Sequence, residues 1–188
     1  SVAVPVGKKT ADILVEKLIP RVESLKVAPS TDPQADYGPM VTKAHLDKVR
    51  SYVDLGIKEG AKLKVDGRGF KLQGYESGFF MGGCLFDEVT PDMRIYKEEI
   101  FGPVLSVVRA KDYEEAVRLP SEHEYGNGVS IFTRDGDTAR DFTSRVNVGM
   151  VGVNFAIPVP LAYHTFGGWK RSGFGDLNQH GPDSIRFY

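Results

Sequence analysis

The chain has 188 residues, 24 of them basic and 25 acidic, for a formal net charge of −1; 41% are hydrophobic and 26% charged. This composition is that of a globular domain and excludes a disordered tail, a coiled coil or a collagen. The balanced charge gives no electrostatic case for nucleic acid or an acidic membrane surface, and no apolar run approaches the roughly 20 residues of a membrane-spanning helix.

The single cysteine excludes an intrachain disulfide and fits a reducing compartment, while 21 glycines imply tight turns and close backbone approaches. Length predicts one domain. Residues 2–6 (VAVPV) form an apolar, β-branched run that reads as a buried strand. No basic segment with an apolar core and cleavage site precedes it, so a signal peptide is not expected, and a chain opening in mid-strand is expected to be cut from something longer.

Thr10 is a candidate N-cap for a helix over 11–25, with Ala11, Leu14, Val15, Leu18, Val22 and Leu25 on one face and Pro20 expected to kink or break it. Residues 29–39 are polar and proline-containing, and read as a surface loop. Thr42 then caps a second helix whose apolar positions are Leu46, Val49, Val53 and Ile57, with Gly60 at the C-cap. A strand at Lys62–Val65 and a turn at 66–69 follow. Residues 78–89 (GFFMGGCLFDEV) predict a longer apolar strand with a bulge or bend at Gly82 and Gly83.

Residues 105–108 predict another strand, and Asp112 with Glu115 has capping-box spacing for a helix over 113–119. A strand at 129–133, a helix capped by Asp135 and reaching about Val146, and a strand at 148–153 come next. The remainder is a loop rich in proline, glycine and aromatics, with a short final strand at 185–188. Alternating strands and helices predict a layered α/β fold, with a mostly parallel sheet flanked by helices.

Most signatures of chemistry are missing. There is no GxxxxGK[ST] phosphate loop, no GxGxxG dinucleotide fingerprint and no GxSxG elbow. His45, His123, His164 and His180 are far apart in sequence, so no zinc site is expected. Cys84, in an apolar run beside Gly82 and Gly83, reads as a small buried hydrophobe rather than a nucleophile.

Three segments look built for a site. In YKEEIFGPV (96–104), Glu99 and Phe101 lie two residues apart and would share a face of an extended segment. Such a pair can accept hydrogen bonds from a ribose diol and pack on a flat heterocycle; a solvated loop entering a strand is the plainer reading. In GMVGVNF (149–155), running into IPVP (157–160), a strand ends in Asn154 and Phe155, at the edge where open α/β sheets place ligands. Alternatively Asn154 only terminates the strand by bonding nearby backbone. In FGGWKRSG (166–173), paired glycines permit close approach and Phe166 and Trp169 supply apolar surface; the alternative is a surface turn with a basic tip.

In this order, the segments resemble the catalytic domain of aldehyde dehydrogenases over essentially the whole chain. The match runs through 78–93, the EEIFGPV motif at 98–104, YGNG (125–128) with 131–133, then 149–154 and 166–168. YGNG, IPVPL (157–161) and FGGWKRS (166–172) resemble the CoA-acylating methylmalonate-semialdehyde dehydrogenase branch. The resemblance implies an NAD-linked oxidation of a small aldehyde. A cysteine thiolate adds to the aldehyde, the thiohemiacetal passes hydride to the nicotinamide, and the thioester is released to coenzyme A with loss of the substrate carboxylate as CO₂, or to water in other branches.

By motif, Glu99 would hold the nicotinamide ribose and Phe101 would pack near the nicotinamide. Asn154 would support the pocket edge, while Phe155, Phe166 and Ile157 would line the aldehyde tunnel. Lys170 and Arg171 read as a solvated basic turn rather than a site for a substrate carboxylate or CoA phosphate. The resemblance also implies that the nucleophilic cysteine, the oxyanion-hole asparagine, most of the NAD-binding domain and a terminal oligomerisation strand lie outside these residues. A parent homotetramer or homodimer in the cytoplasm (or mitochondrial matrix, in a eukaryote) is expected, with no dehydrogenase turnover from this chain alone. Leu119, Pro120 and Ser121 depart from the family's asparagine-containing helix end and are expected to shorten that helix. The rival reading is a non-catalytic binding or assembly module that retains the fold.

Overall fold

Apolar runs too short for helices and bounded by turns form the central strands of the first part of the chain. A computed structural model describes all 188 residues, which divide into two compact units, Ser1–Asp112 and Tyr113–Tyr188. In the first, β1 (Val2–Ala3), β2 (Lys62–Val65), β3 (Cys84–Asp87) and β4 (Val104–Val107) make a sheet of order β1-β4-β3-β2. β1 and β3 run parallel to β4, with Cys84 opposite Val104 and Val2 opposite Ser106, and β2 closes the edge antiparallel to β3. All four residues of β3 are buried, as a strand covered on both faces requires.

α1 (Lys8–Glu23) packs Val15 against Leu85 and Val107, with Leu18, Ile19 and Val22 around them. α2 (Lys43–Glu59) buries Leu46, Val49 and Val53, and a single turn of helix, α3 (Arg94–Lys97), precedes β4. The expected mostly parallel sheet with flanking helices is therefore present.

Several boundaries differ from expectation. β1 is an exposed-edge strand rather than a buried one: it covers two residues, and Val6 rejoins only through a bridge to Ala110. α1 starts three residues before Ala11, with Gly7 (φ +81°) rather than Thr10 at its N-cap, and passes through Pro20 unbroken. Pro20 and Glu16 are both exposed, so the carbonyl that Pro20 leaves without a donor lies on the solvent side. The strand predicted over 78–89 shrinks to β3 because the preceding glycines make a backbone crossing instead. Gly82 donates to the Gly67 carbonyl at 2.9 Å, and a Cβ on Gly67 would fall 2.1 Å from the Gly82 carbonyl carbon.

The second unit contains α4 (Tyr113–Glu122), β5 (Tyr125–Gly126), β6 (Gly128–Ile131), α5 (Gly136–Arg145), β7 (Met150–Val153), β8 (Trp169–Lys170) and α6 (Ser184–Phe187). β6 and β7 pair in parallel, β5 and β8 antiparallel, and Val117, Phe142, Val146 and Val148 form the core. α4 is not shortened at Pro120. It reaches Glu122 because the Lys170 ammonium donates to the Pro120 and Ser121 carbonyls at 3.0 and 3.1 Å, satisfying acceptors at the helix end. The strand predicted at 185–188 is instead α6: Gly181 (φ +72°) and Pro182 open a 3₁₀ turn, and the Ser184 hydroxyl donates back to the Gly181 carbonyl at 2.7 Å.

Candidate functional site

The adjacent acids Glu98 and Glu99 have opposite fates. Glu98 accepts from Arg94 Nε at 2.6 Å and from the Tyr52 hydroxyl, and these bonds hold its carboxyl at about 2, well below the ordinary range. The same bond to Glu98 pushes the Tyr52 phenol up. Glu99 is exposed and makes no hydrogen bond or ion pair within the chain, although its charge reaches the Ser1 nitrogen at the start of β1.

Phe101 adopts φ +59°, a left-handed conformation that is an outlier for a bulky residue, and is 75% exposed. Its carbonyl accepts from His45 Nε2 at 2.6 Å, and the His45 ring meets the Phe101 ring edge-on at 6.2 Å. Next to it, Gly102 is pressed onto α2: a Cβ there would lie 2.6 Å from Val49 Cγ2. The backbone is thus turned rather than extended at Phe101, so alternation along a strand is not what sets these two side chains. Both are nonetheless presented to solvent on a held turn. An unpartnered carboxylate accepts two hydrogen bonds from a diol and an exposed ring offers a flat apolar contact, a combination that suits a ribose diol beside a flat heterocycle.

In the second unit, Asn154 (φ +55°) ends β7. Its Oδ1 accepts from Thr133 N and its Nδ2 donates to Thr133 O, both at 2.9 Å, while its own N–H donates to Ile131 O at 2.8 Å. The side chain thereby adds one rung beyond the β6–β7 ladder, and the strand-terminating reading of Asn154 describes its contacts. Phe155 and Ile157 are exposed on the loop that follows, and Phe166 is half-buried with its ring 4.4 Å from that of His180.

The 166–173 segment is not a solvated basic turn. Lys170 is turned in against the end of α4, where burial lowers its pKa, and of the two basic residues Arg171 alone is exposed, paired to Glu124 at 2.6 Å over the Tyr125 ring. Its glycines allow tight crossings, since a Cβ on Gly149 would sit 2.3 Å from the Gly167 carbonyl oxygen.

Cys84 is 1% exposed and accepts from Gly67 N at 3.3 Å; burial pushes its thiol up, which is the opposite of what a nucleophile needs. No group of three His, Cys, Asp or Glu side chains converges to hold a metal ion.

Of the six residues singled out from sequence, Glu99 and Phe101 belong to the first unit, and Asn154, Phe155, Ile157 and Phe166 to the second. Sequence reading missed the supports of the 98–102 turn, namely His45, Val49 and Tyr52. Their spacing of four and three marks one face of a helix, but nothing local says which loop that face meets.

The chain belongs to the aldehyde dehydrogenase family, whose profile matches residues 3–188. Its relatives within that family include malonate- and methylmalonate-semialdehyde dehydrogenases. It is 59% identical to malonate-semialdehyde dehydrogenase of Pseudomonas aeruginosa over 188 residues, which is 100% of this chain and 38% of the relative. The crystal structure of a Sinorhizobium meliloti protein assigned as methylmalonate-semialdehyde dehydrogenase, complexed with NAD, superposes with a TM-score of 0.98 at 71% identity, covering all of this chain and 38% of that one. Methylmalonate-semialdehyde dehydrogenase from Oceanimonas doudoroffii gives 0.96 at 54% identity, again covering 100% and 38%. The chain thus spans 38% of the length of these relatives.

Proposed function

We propose that this chain is the catalytic-domain portion of an NAD-dependent, CoA-acylating malonate- or methylmalonate-semialdehyde dehydrogenase, with both compact units assigned to that domain. The observation that carries the reading is the turn at 99–101, where an unpartnered carboxylate and an exposed ring sit on a strained backbone that its neighbours hold in place. Relatives that match along the whole of this chain, one of them complexed with NAD, support it.

Glu99 accepts hydrogen bonds from the nicotinamide ribose and Phe101 packs near the nicotinamide. When bound there, NAD supplies the hydride acceptor for the aldehyde carbon. In the second unit Asn154 fixes the end of β7, and Phe155, Ile157 and Phe166 line the approach of the aldehyde. The thiolate is assigned to another part of the protein, because the one cysteine here is buried. Coenzyme A as acyl acceptor rests on the YGNG, IPVPL and FGGWKRS segments. A homotetramer or homodimer in the cytoplasm, or in the mitochondrial matrix of a eukaryote, follows from the same resemblance. No helix is long and apolar enough to cross a membrane.

The test is turnover by the complete protein with NAD and malonate or methylmalonate semialdehyde, with and without coenzyme A. The reading predicts NADH with release of CO₂ and acetyl-CoA or propionyl-CoA respectively, only when coenzyme A is present. Formation of the free acid without coenzyme A would overturn the acylating assignment, and absence of NADH with either aldehyde would overturn the reading as a whole.

A further inference from the structure

We infer that His45 is a positioning residue for the 99–101 turn, holding the Phe101 peptide in its left-handed conformation so that Glu99 is presented to the cofactor. The inference rests on reading that turn as the cofactor site. A bulky residue at φ +59° is unfavourable and persists only where the surroundings over-determine it. Three residues on one face of α2 do so. Tyr52 donates to Glu98 on one flank, and Val49 closes on Gly102 on the other. Only His45 bonds the strained residue's own peptide, through Nε2 to the Phe101 carbonyl at 2.6 Å.

Both the Nε2-protonated neutral ring and the charged ring donate this bond, and a glutamine amide at the same position has an equivalent donor. The Thr42 hydroxyl accepts from His45 N, so the first turn of α2 that carries the imidazole is itself capped.

The experiment uses the complete protein as wild type, His45→Phe, which keeps a ring beside Phe101 without a donor, and His45→Gln, with His45→Ala as a second loss variant. Amide exchange of the segment spanning 98–102 and steady-state kinetics are both read. Loss of the bond is expected to speed exchange in that segment by about tenfold and to raise KM for NAD by about tenfold, with KM for the aldehyde changed by less than about twofold. His45→Gln is expected to restore both values to within about threefold of wild type.

Unchanged exchange and KM for NAD in the two loss variants would overturn the inference, as would a His45→Gln enzyme as impaired as His45→Phe. Faster exchange with unchanged KM for NAD would instead show that His45 holds the turn but that the turn does not serve the cofactor, which overturns the functional reading and the inference drawn on it.

Discussion

Asp87, at the end of β3, is 1% exposed, and a buried carboxylate is unfavourable unless it is paired and hydrogen-bonded. Arg109 meets it with two bonds at 2.9 and 2.8 Å, the Glu88 amide adds a third at 2.7 Å, and Arg109 also reaches Asp12 of α1 at 2.6 Å. Burial acts to raise the carboxyl's pKa, but the guanidinium and the Glu88 amide outweigh it, leaving the value below 3.8. A depressed folded value contributes stability that is complete above the unfolded one and is lost as pH falls through the folded one. Asp87→Asn is therefore expected to lower unfolding stability by about 2–3 kcal/mol at pH 7, since it leaves a half-buried guanidinium with Asp12 as its one remaining counter-charge. In urea titrations the gap between the variant and wild type should narrow below pH 3.8. Lys170→Met, which keeps the apolar stem but removes the donor to the α4 carbonyls, is expected to lose about 1–2 kcal/mol in the same assay.

α2 links local signals to the candidate site. Thr42 accepts from His45 N, and Gly60 closes the helix at φ +100°, where a side chain is strained. Thr42→Ala is expected to destabilise by about 1 kcal/mol and to loosen the imidazole that holds Phe101, visible as faster amide exchange in residues 98–102. These caps were legible in the sequence, as were the Asp135 cap of α5, the strand at Lys62–Val65 and the 3.6-residue period of α2, because each signal is complete within a few residues. Glu99 and Phe101 were legible as a pair through the EEIFGPV motif, but the left-handed turn between them was not, since its cause lies in His45, 56 residues away. The same limit explains α4, whose end is secured by Lys170 from 50 residues away, and the truncated strand before β3, where Gly67 meets Gly82. α6 escaped notice for a local reason: Gly181 and Pro182 set a turn that outweighs the β-like composition of four terminal residues.

Over the whole chain, membership of the aldehyde dehydrogenase family is shown, and the chain spans 38% of the length of its relative from Pseudomonas aeruginosa. Its one cysteine is enclosed in β3 with a raised pKa, so no thiolate within it is available to an aldehyde. The 188 residues alone are expected to form no NADH from either semialdehyde. NAD binding by that chain, followed by calorimetry, is expected to be no tighter than about millimolar, on the order of −4 kcal/mol; low-micromolar binding would instead favour a self-contained binding module. The role proposed for Glu99 is to hold the cofactor. Its most direct test is calorimetric titration of NAD into the complete protein and its Glu99→Gln variant. Loss of charge-assisted hydrogen bonds to the ribose predicts affinity weaker by about tenfold or more. Equal dissociation constants for the two proteins would contradict it.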